Sequence, residues 1–155
     1  MTIVPVVSAS EMFNACEAVF DVADIIVMSA AVADYTPVKR AEEKIKKSDD
    51  RFNLELTKTT DILKTLGARK KPGQVLVGFA LETVNEKQYA REKLEKKNAD
   101  IIVLNSLNDA GAGFGTDTNK VTIFQKDKPE TEWPVKSKDA VAHDLVDLLI
   151  KTYYV

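Results

Sequence analysis

Cysteine is almost missing from this chain: Cys16 is the only one in 155 residues. One thiol cannot close an intrachain disulfide or supply a cysteine-based zinc site, and both absences fit a reducing compartment. Histidine is equally scarce. His143 stands alone, away from the apolar positions of its segment, so it reads as a surface residue rather than a catalyst. No apolar run approaches the roughly 18–20 residues of a membrane span. The opening MTIVPVV has no basic flank before its short apolar stretch, so no secretory signal is expected. A cytoplasmic location, without a membrane partner, is the default expectation. Excess charge is lacking too. With a net charge of -2, any phosphate site must be built locally rather than by bulk charge. Both glycine fingerprints of nucleotide binding are absent. GAGFG at 111–115 precedes a strand rather than a helix and does not match G-x-G-x-x-G, and there is no G-x-x-x-x-G-K-[ST] loop. Repeats, linkers and low-complexity tracts are missing as well, so residues 1–155 read as a single domain, large enough for a real core.

What remains is an ordinary globular composition, 45% hydrophobic and 30% charged, arranged as alternating apolar runs and helical patterns. Ile3–Val7 reads as a β-branched strand. Ser8 and Glu11 form an S-x-x-E capping box that starts a helix over 9–20, with Met12, Ala15, Cys16 and Val19 on one face. Ile25–Met28 is a continuous apolar run, as expected of a strand covered on both faces. Phe52, Leu54 and Leu56 alternate with polar residues, giving a half-buried strand over 52–57. Thr59 or Thr60 can cap a short helix over 61–66 that Gly67 ends. Val75–Ala80 and Ile101–Leu104 are further apolar strands, separated by a charged helix over 85–97 whose Ala90 and Leu94 face inward. Val121–Phe124 and Thr131–Val135 form a hairpin, and Ser137 caps a closing helix buried through Val141, Leu145, Leu148 and Leu149. This alternation predicts an α/β fold: a Rossmann-like, doubly wound, mostly parallel sheet with a small antiparallel addition.

In such sheets ligands sit beyond the carboxyl ends of the strands. Ser29–Tyr35, Gly78–Thr83 and Asn105–Asn119 leave those ends and should converge on one crevice. The small side chains of Ser29, Ala30 and Ala31 would let a planar ring approach the backbone; they would equally serve tight strand–helix packing. Asp34 could hold a ribose hydroxyl or a metal ion, or simply cap a turn. The segment 39–47 sets Lys39, Arg40, Lys44, Lys46 and Lys47 against Glu42 and Glu43. It is either a solvated face or a lid of mobile point charges over a triphosphate. It has no interleaved aromatics, which argues against a nucleic-acid partner. The helix start at Thr60–Leu63 offers N–H groups and a positive dipole end, as a phosphate seat requires. Lys93 and Lys97 lie four apart on one helix face.

Taken in order, VSASEMFNA, MSAAVADYTP, EKIKK, LTKTTDIL, VGFALET, AREKLEKKNADIIVLN and GFGTDTNKV resemble the bacterial phosphopantothenoylcysteine synthetase family, from about residue 3 to the end. The resemblance implies joining of 4'-phosphopantothenate to cysteine in coenzyme A biosynthesis. CTP is consumed as a substrate, Mg²⁺ accompanies it, an acyl-cytidylate is the intermediate, and the enzyme is a homodimer. It further implies that the backbone around Met28, Ser29 and Ala30 frames the cytosine and that Asp34 contacts the nucleotide. Lys44, the first lysine of KIKK, becomes the catalytic lysine of a mobile lid. Thr60, Asp61, Ile62 and Leu63 supply helix-start contacts, Phe79 lines the pocket, and Lys93 and Lys97 bind the nucleotide. The metal ligands are not specified. Where the family more often has Asn-Pro-Asp, Thr59 and Thr60 replace the first two residues. The family's opening strand, glycine-containing phosphate loop and asparagine segment have no match here, and neither does the flavin-dependent decarboxylase often fused upstream. The chain is therefore expected to be an N-terminally truncated synthetase or one piece of a split enzyme. Two other readings stay open: a non-catalytic fragment that binds a nucleotide or a partner chain, and a nicotinamide oxidoreductase, which the missing glycine fingerprint disfavours.

Overall fold

The computed structural model describes residues 1–39, 41, 43–45, 52–106 and 116–154. Elements follow in the order α1 (Ala9–Phe20), β1 (Ile25–Met28), β2 (Tyr35–Pro37), β3 (Leu56–Lys58), α2 (Ile62–Arg69), β4 (Val75–Glu82), α3 (Glu86–Lys96), β5 (Ile101–Ser106), β6 (Thr118–Asn119), β7 (Val121–Gln125), β8 (Thr131–Glu132), β9 (Lys136–Ser137) and α4 (Lys138–Tyr153). The main sheet is mixed, in the order β1-β4-β5-β7-β8. β1, β4 and β5 are parallel neighbours; β7 and β8 run antiparallel. β2 pairs with β3, and β6 with β9, as small separate ribbons.

Alternation along the strands assigns the two faces. Val75, Val77, Ile101, Val103, Val121 and Ile123 point to one side and meet Val141, Leu145 and Leu149 of α4. Ala80, Ile102, Leu104 and Phe124 point to the other and meet Ala90 and Leu94 of α3. A third cluster joins Phe20 of α1 to Ile62 and Leu66 of α2, against Ile26 and Met28. Helices thus cover both faces, as an α/β pattern requires.

Local chemistry explains the helix ends. Ser8 and Glu11 form the expected capping box on α1. Asp61, not Thr59 or Thr60, caps α2, its side chain accepting from the Lys64 N–H at 2.9 Å. Thr59 instead ties the preceding loop down: its Oγ1 donates to Ala33 O at 2.6 Å and its N–H to Asp34 O at 2.9 Å. Gly67 does not end the helix, which runs on to Arg69. It is small because α3 ends against it; a Cβ there would lie 1.8 Å from the Lys97 carbonyl oxygen. At Gly78 a Cβ would meet Leu63 at 2.6 Å, so this glycine lets α2 settle on β4.

Three other expectations fail for physical reasons. Ile3–Val7 forms no strand: Ile3 is 74% and Val7 97% exposed, and no described strand lies beside them to take their backbone hydrogen bonds. β1 is not covered on both faces. It is a sheet edge, and α4 packs over β4, β5 and β7, leaving Ile25 and Val27 exposed. The strand expected over 52–57 is shorter and shifted, Leu56–Lys58, and Phe52, Leu54 and Leu56 are exposed, because β3 pairs only with β2.

Candidate functional site

Parallel neighbours β1, β4 and β5 end on the same edge of the sheet. Their C-terminal residues open into one cleft of about 600 Å³, within the usual size range of small-molecule sites. The loop after β1 forms one wall, from Met28, Ser29 and Ala30 to Asp34; the start of α2, Thr60 to Leu63, forms the next. Phe79 lies on the floor, and Lys93 and Lys97 reach in from α3. The expected convergence of strand ends is therefore present, and these residues, dispersed over seventy positions of sequence, share one space. Lys44 does not line the cleft; it is exposed. Arg40, Glu42, Lys46 and Lys47, and the GAGFG stretch, lie outside the described residues.

Glu82, Asn105 and Asn119 line the cleft from the segments expected to converge there, though sequence reasoning gives them no individual role, and Lys138 lies outside those segments. Asn119 is 7% exposed, its Nδ2 donates to Asn105 Oδ1 at 3.1 Å, and its own Oδ1 has no partner among the described residues. The pairing of β6 with β9, together with that of β5 with β7, brings Asn119 and Lys138 here, and no periodicity signals a strand of two residues.

The electrostatics are uneven. The Lys93 ammonium donates to the Phe79 carbonyl at 2.9 Å. Burial pulls its pKa down, and Lys97 adds to this, while Glu82, Asp61 and Asp34 oppose it; the net shift is downward. Asp61 caps α2 through one oxygen and forms an ion pair with Lys97 through the other. Partial burial pushes the Asp61 carboxyl up, but the hydrogen bonds from Lys97 and the Lys64 N–H and the nearby ammonium charges outweigh it, holding the group below its ordinary value. At this helix start the Asp61 carboxylate takes one backbone N–H, that of Lys64. Among the described residues no three His, Cys, Asp or Glu gather as metal ligands. Asp34 and Glu82 remain as cleft carboxylates outside the Lys97 pair. Two carboxylates suit a hard divalent cation such as Mg²⁺, which is commonly held by one or two carboxylates together with phosphates and waters. Among the described residues no helix is long and apolar enough to cross a membrane.

Known proteins resemble the chain throughout. The profile of the family described as DNA/pantothenate metabolism flavoprotein, C-terminal domain, matches residues 1–153. The coenzyme A biosynthesis bifunctional protein CoaBC of Bacillus subtilis is 50% identical over 143 residues, which are 92% of this chain and 35% of that protein. The chain thus spans about a third of the length of such relatives. Among solved structures, the C-terminal domain of a coenzyme A biosynthesis bifunctional protein CoaBC superimposes with a TM-score of 0.76 at 40% identity, covering 96% of this chain and 66% of that one. A mutant of Cab2 in complex with phosphopantothenate-cysteine shares the fold, with a TM-score of 0.70 at 15% identity, covering 96% of this chain and 52% of that one.

Proposed function

Because the chain belongs to the DNA/pantothenate metabolism flavoprotein C-terminal domain family, we propose that its cleft is the nucleotide site of a CTP-dependent phosphopantothenoylcysteine synthetase. In this reading the sheet is a Rossmann-like, doubly wound one. The 4'-phosphopantothenate carboxylate attacks the α-phosphate of CTP, giving an acyl-cytidylate and pyrophosphate. The cysteine amine then attacks the acyl carbon, giving an amide and CMP. A carboxylate must approach a phosphate ester of like charge, so fixed cations and oriented donors are the main equipment such a site needs. Mg²⁺, when bound, would supply further charge neutralisation, and Asp34 and Glu82 are the cleft carboxylates outside the Lys97 ion pair that would hold it.

The observation that carries this reading is the gathering of Met28–Ala30, Asp34, Thr60–Leu63, Phe79, Lys93 and Lys97 around one cleft. The backbone of Met28–Ala30 frames the base, Asp34 meets the ribose side, and Lys44 closes over the phosphates from outside. The exposed β2–β3 ribbon, with Tyr35 53% and Leu56 50% accessible, supports a homodimer as the working form. A cytoplasmic location follows from the substrates. Crystals grown with CTP and Mg²⁺ test the proposal. Nucleotide density between the 28–34 loop and the start of α2 is the expected result; a nucleotide seated elsewhere on the molecule would contradict it.

A further inference from the structure

The cleft straddles the end of the sheet, and its two sides differ in charge. On the α3 side the carboxylates gather: Lys93 lies within electrostatic reach of Glu82, Asp61 and Asp34. The lining has no other carboxylate. The α4 side has a different character. Val103 and Val121 face α4. Asn105, two residues beyond Val103 and in register with Val121, faces the same way by strand alternation. Lys138 opens α4, and β6, paired with β9, brings Asn119 beside them. All three residues line the cleft.

Hydrogen bonding gives the Asn105 amide a fixed sense. Asn119 Nδ2 donates to Asn105 Oδ1 at 3.1 Å. This occupies the acceptor end and leaves the Nδ2 donors of Asn105, which have no partner among the described residues, for the cleft. Asn119 itself is buried, and its Oδ1 has no partner among the described residues. A buried amide left partly unpaired is costly, and holding its neighbour in one orientation is what it does in return. Lys136 is taken by Asp144, whereas Lys138 is exposed and has no ion pair among the described residues. The α4 side therefore offers donors and one positive charge, beside the apolar Phe79 and Leu81. That suits a monoanion with paired oxygens, a carboxylate; a triphosphate tail carries several charges and needs several cations.

Of the two carboxylates that enter the proposed reaction, that of 4'-phosphopantothenate loses its charge on becoming an acyl-cytidylate. The cysteine carboxylate keeps its charge from substrate to product and needs a lasting partner. We propose that Lys138 and the Asn105 amide, the latter positioned by Asn119, bind the α-carboxylate of the amino-acid substrate and leave its amine facing the middle of the cleft. The inference rests on the synthetase reading and deepens it. A site built to hydrogen-bond a group rejects the analogue that lacks it, so these residues select an amino acid over a simple amine.

Cysteamine, which is cysteine without the carboxylate, is the probe. Amide formation is measured in a protein that contains this chain, with CTP, Mg²⁺ and 4'-phosphopantothenate, using cysteine or cysteamine as the amine. The wild type should prefer cysteine in kcat/KM by about 10-fold or more, the value of one charge-assisted hydrogen bond. Lys138→Met should lose about 10-fold with cysteine, through KM for cysteine, and much less with cysteamine. Asn105→Asp keeps the shape and sets a carboxylate against a carboxylate, so it should lower the preference as well. Asn119→Leu should lower it by freeing the Asn105 amide to turn, an effect that a purely structural role would not confine to one of two amines. If Lys138→Met and Asn105→Asp slow both amines alike, or raise KM for CTP instead, these donors serve the fold or the phosphates, and the inference is overturned while the synthetase reading stands. A wild type that joins neither amine removes the synthetase reading, and this inference with it.

Discussion

Replacing Asp100 by alanine should lower the unfolding free energy by about 3 kcal/mol, the low end of what breaking a buried ion pair costs. Asp100 sits at the start of β5. Its carboxylate receives the Lys70 ammonium at 2.6 and 2.7 Å and the Leu76 N–H at 2.7 Å, and its own N–H donates to Leu76 O at 2.8 Å. The Lys70 and Asp100 side chains are only 11% and 18% accessible. Alanine leaves a largely buried ammonium unpaired and a buried backbone N–H without an acceptor, and such a group alone costs roughly 1–3 kcal/mol. For a chain of this size the loss corresponds to a fall in melting temperature of roughly 6–12 °C. Asp100→Asn keeps an acceptor for Leu76 and removes only the charge, so it should lose clearly less. Thermal unfolding of the two variants separates the contributions; equal losses would mean that the Leu76 bond contributes nothing. The site depends on this junction, because it anchors β4 and β5, whose far ends form the cleft.

Lys44→Gln should reduce turnover by roughly 10- to 150-fold, the value of about 1.5–3 kcal/mol for a charge-assisted hydrogen bond. The measurement uses a catalytically active protein that contains this chain. Lys44 is exposed, outside the cleft, and Ile45 beside it is 55% accessible. If Lys44 closes over the nucleotide as charge develops, its contact tightens in the transition state, and the loss falls on kcat rather than KM. Glutamine keeps the length and removes the charge. Lys39→Gln, in the same basic segment, is the control and should leave turnover near wild type. Should both variants turn over as the wild type does, Lys44 is a solvated surface charge and the lid is wrong.

Legibility differed between elements for identifiable reasons. α3 and α4 were readable because Ala90 and Leu94, and Val141, Leu145 and Leu149, recur at helical spacing and are buried at those positions. β4 and β5 were readable because strands covered on both faces are apolar without interruption. The same signal misled at the edges. Ile25–Met28 reads like a central strand, yet Ile25 and Val27 lie beyond the reach of α4, and β-branched Ile3–Val7 lacks a neighbour to pair with. Gly67 resembled a helix stop because sequence carries no record of the α3 carbonyl that excludes a side chain there. The cleft was legible because its walls leave the ends of adjacent parallel strands, which fixes them together before any side chain is considered. The ion pair of the α2 cap, Asp61, with Lys97 was not legible. It depends on a lysine thirty-six positions away, and only the packing of α2 on α3 brings the two together.

Calorimetric titration of this chain with CTP and with ATP, in the presence of Mg²⁺, tests the central claim most directly. A cleft lined by Met28–Asp34, Asp61, Lys93 and Lys97 should bind CTP measurably and in preference to ATP, because the base-framing segment 28–34 forms one of its walls. Equal affinities for the two nucleotides, or binding of neither, would contradict the account.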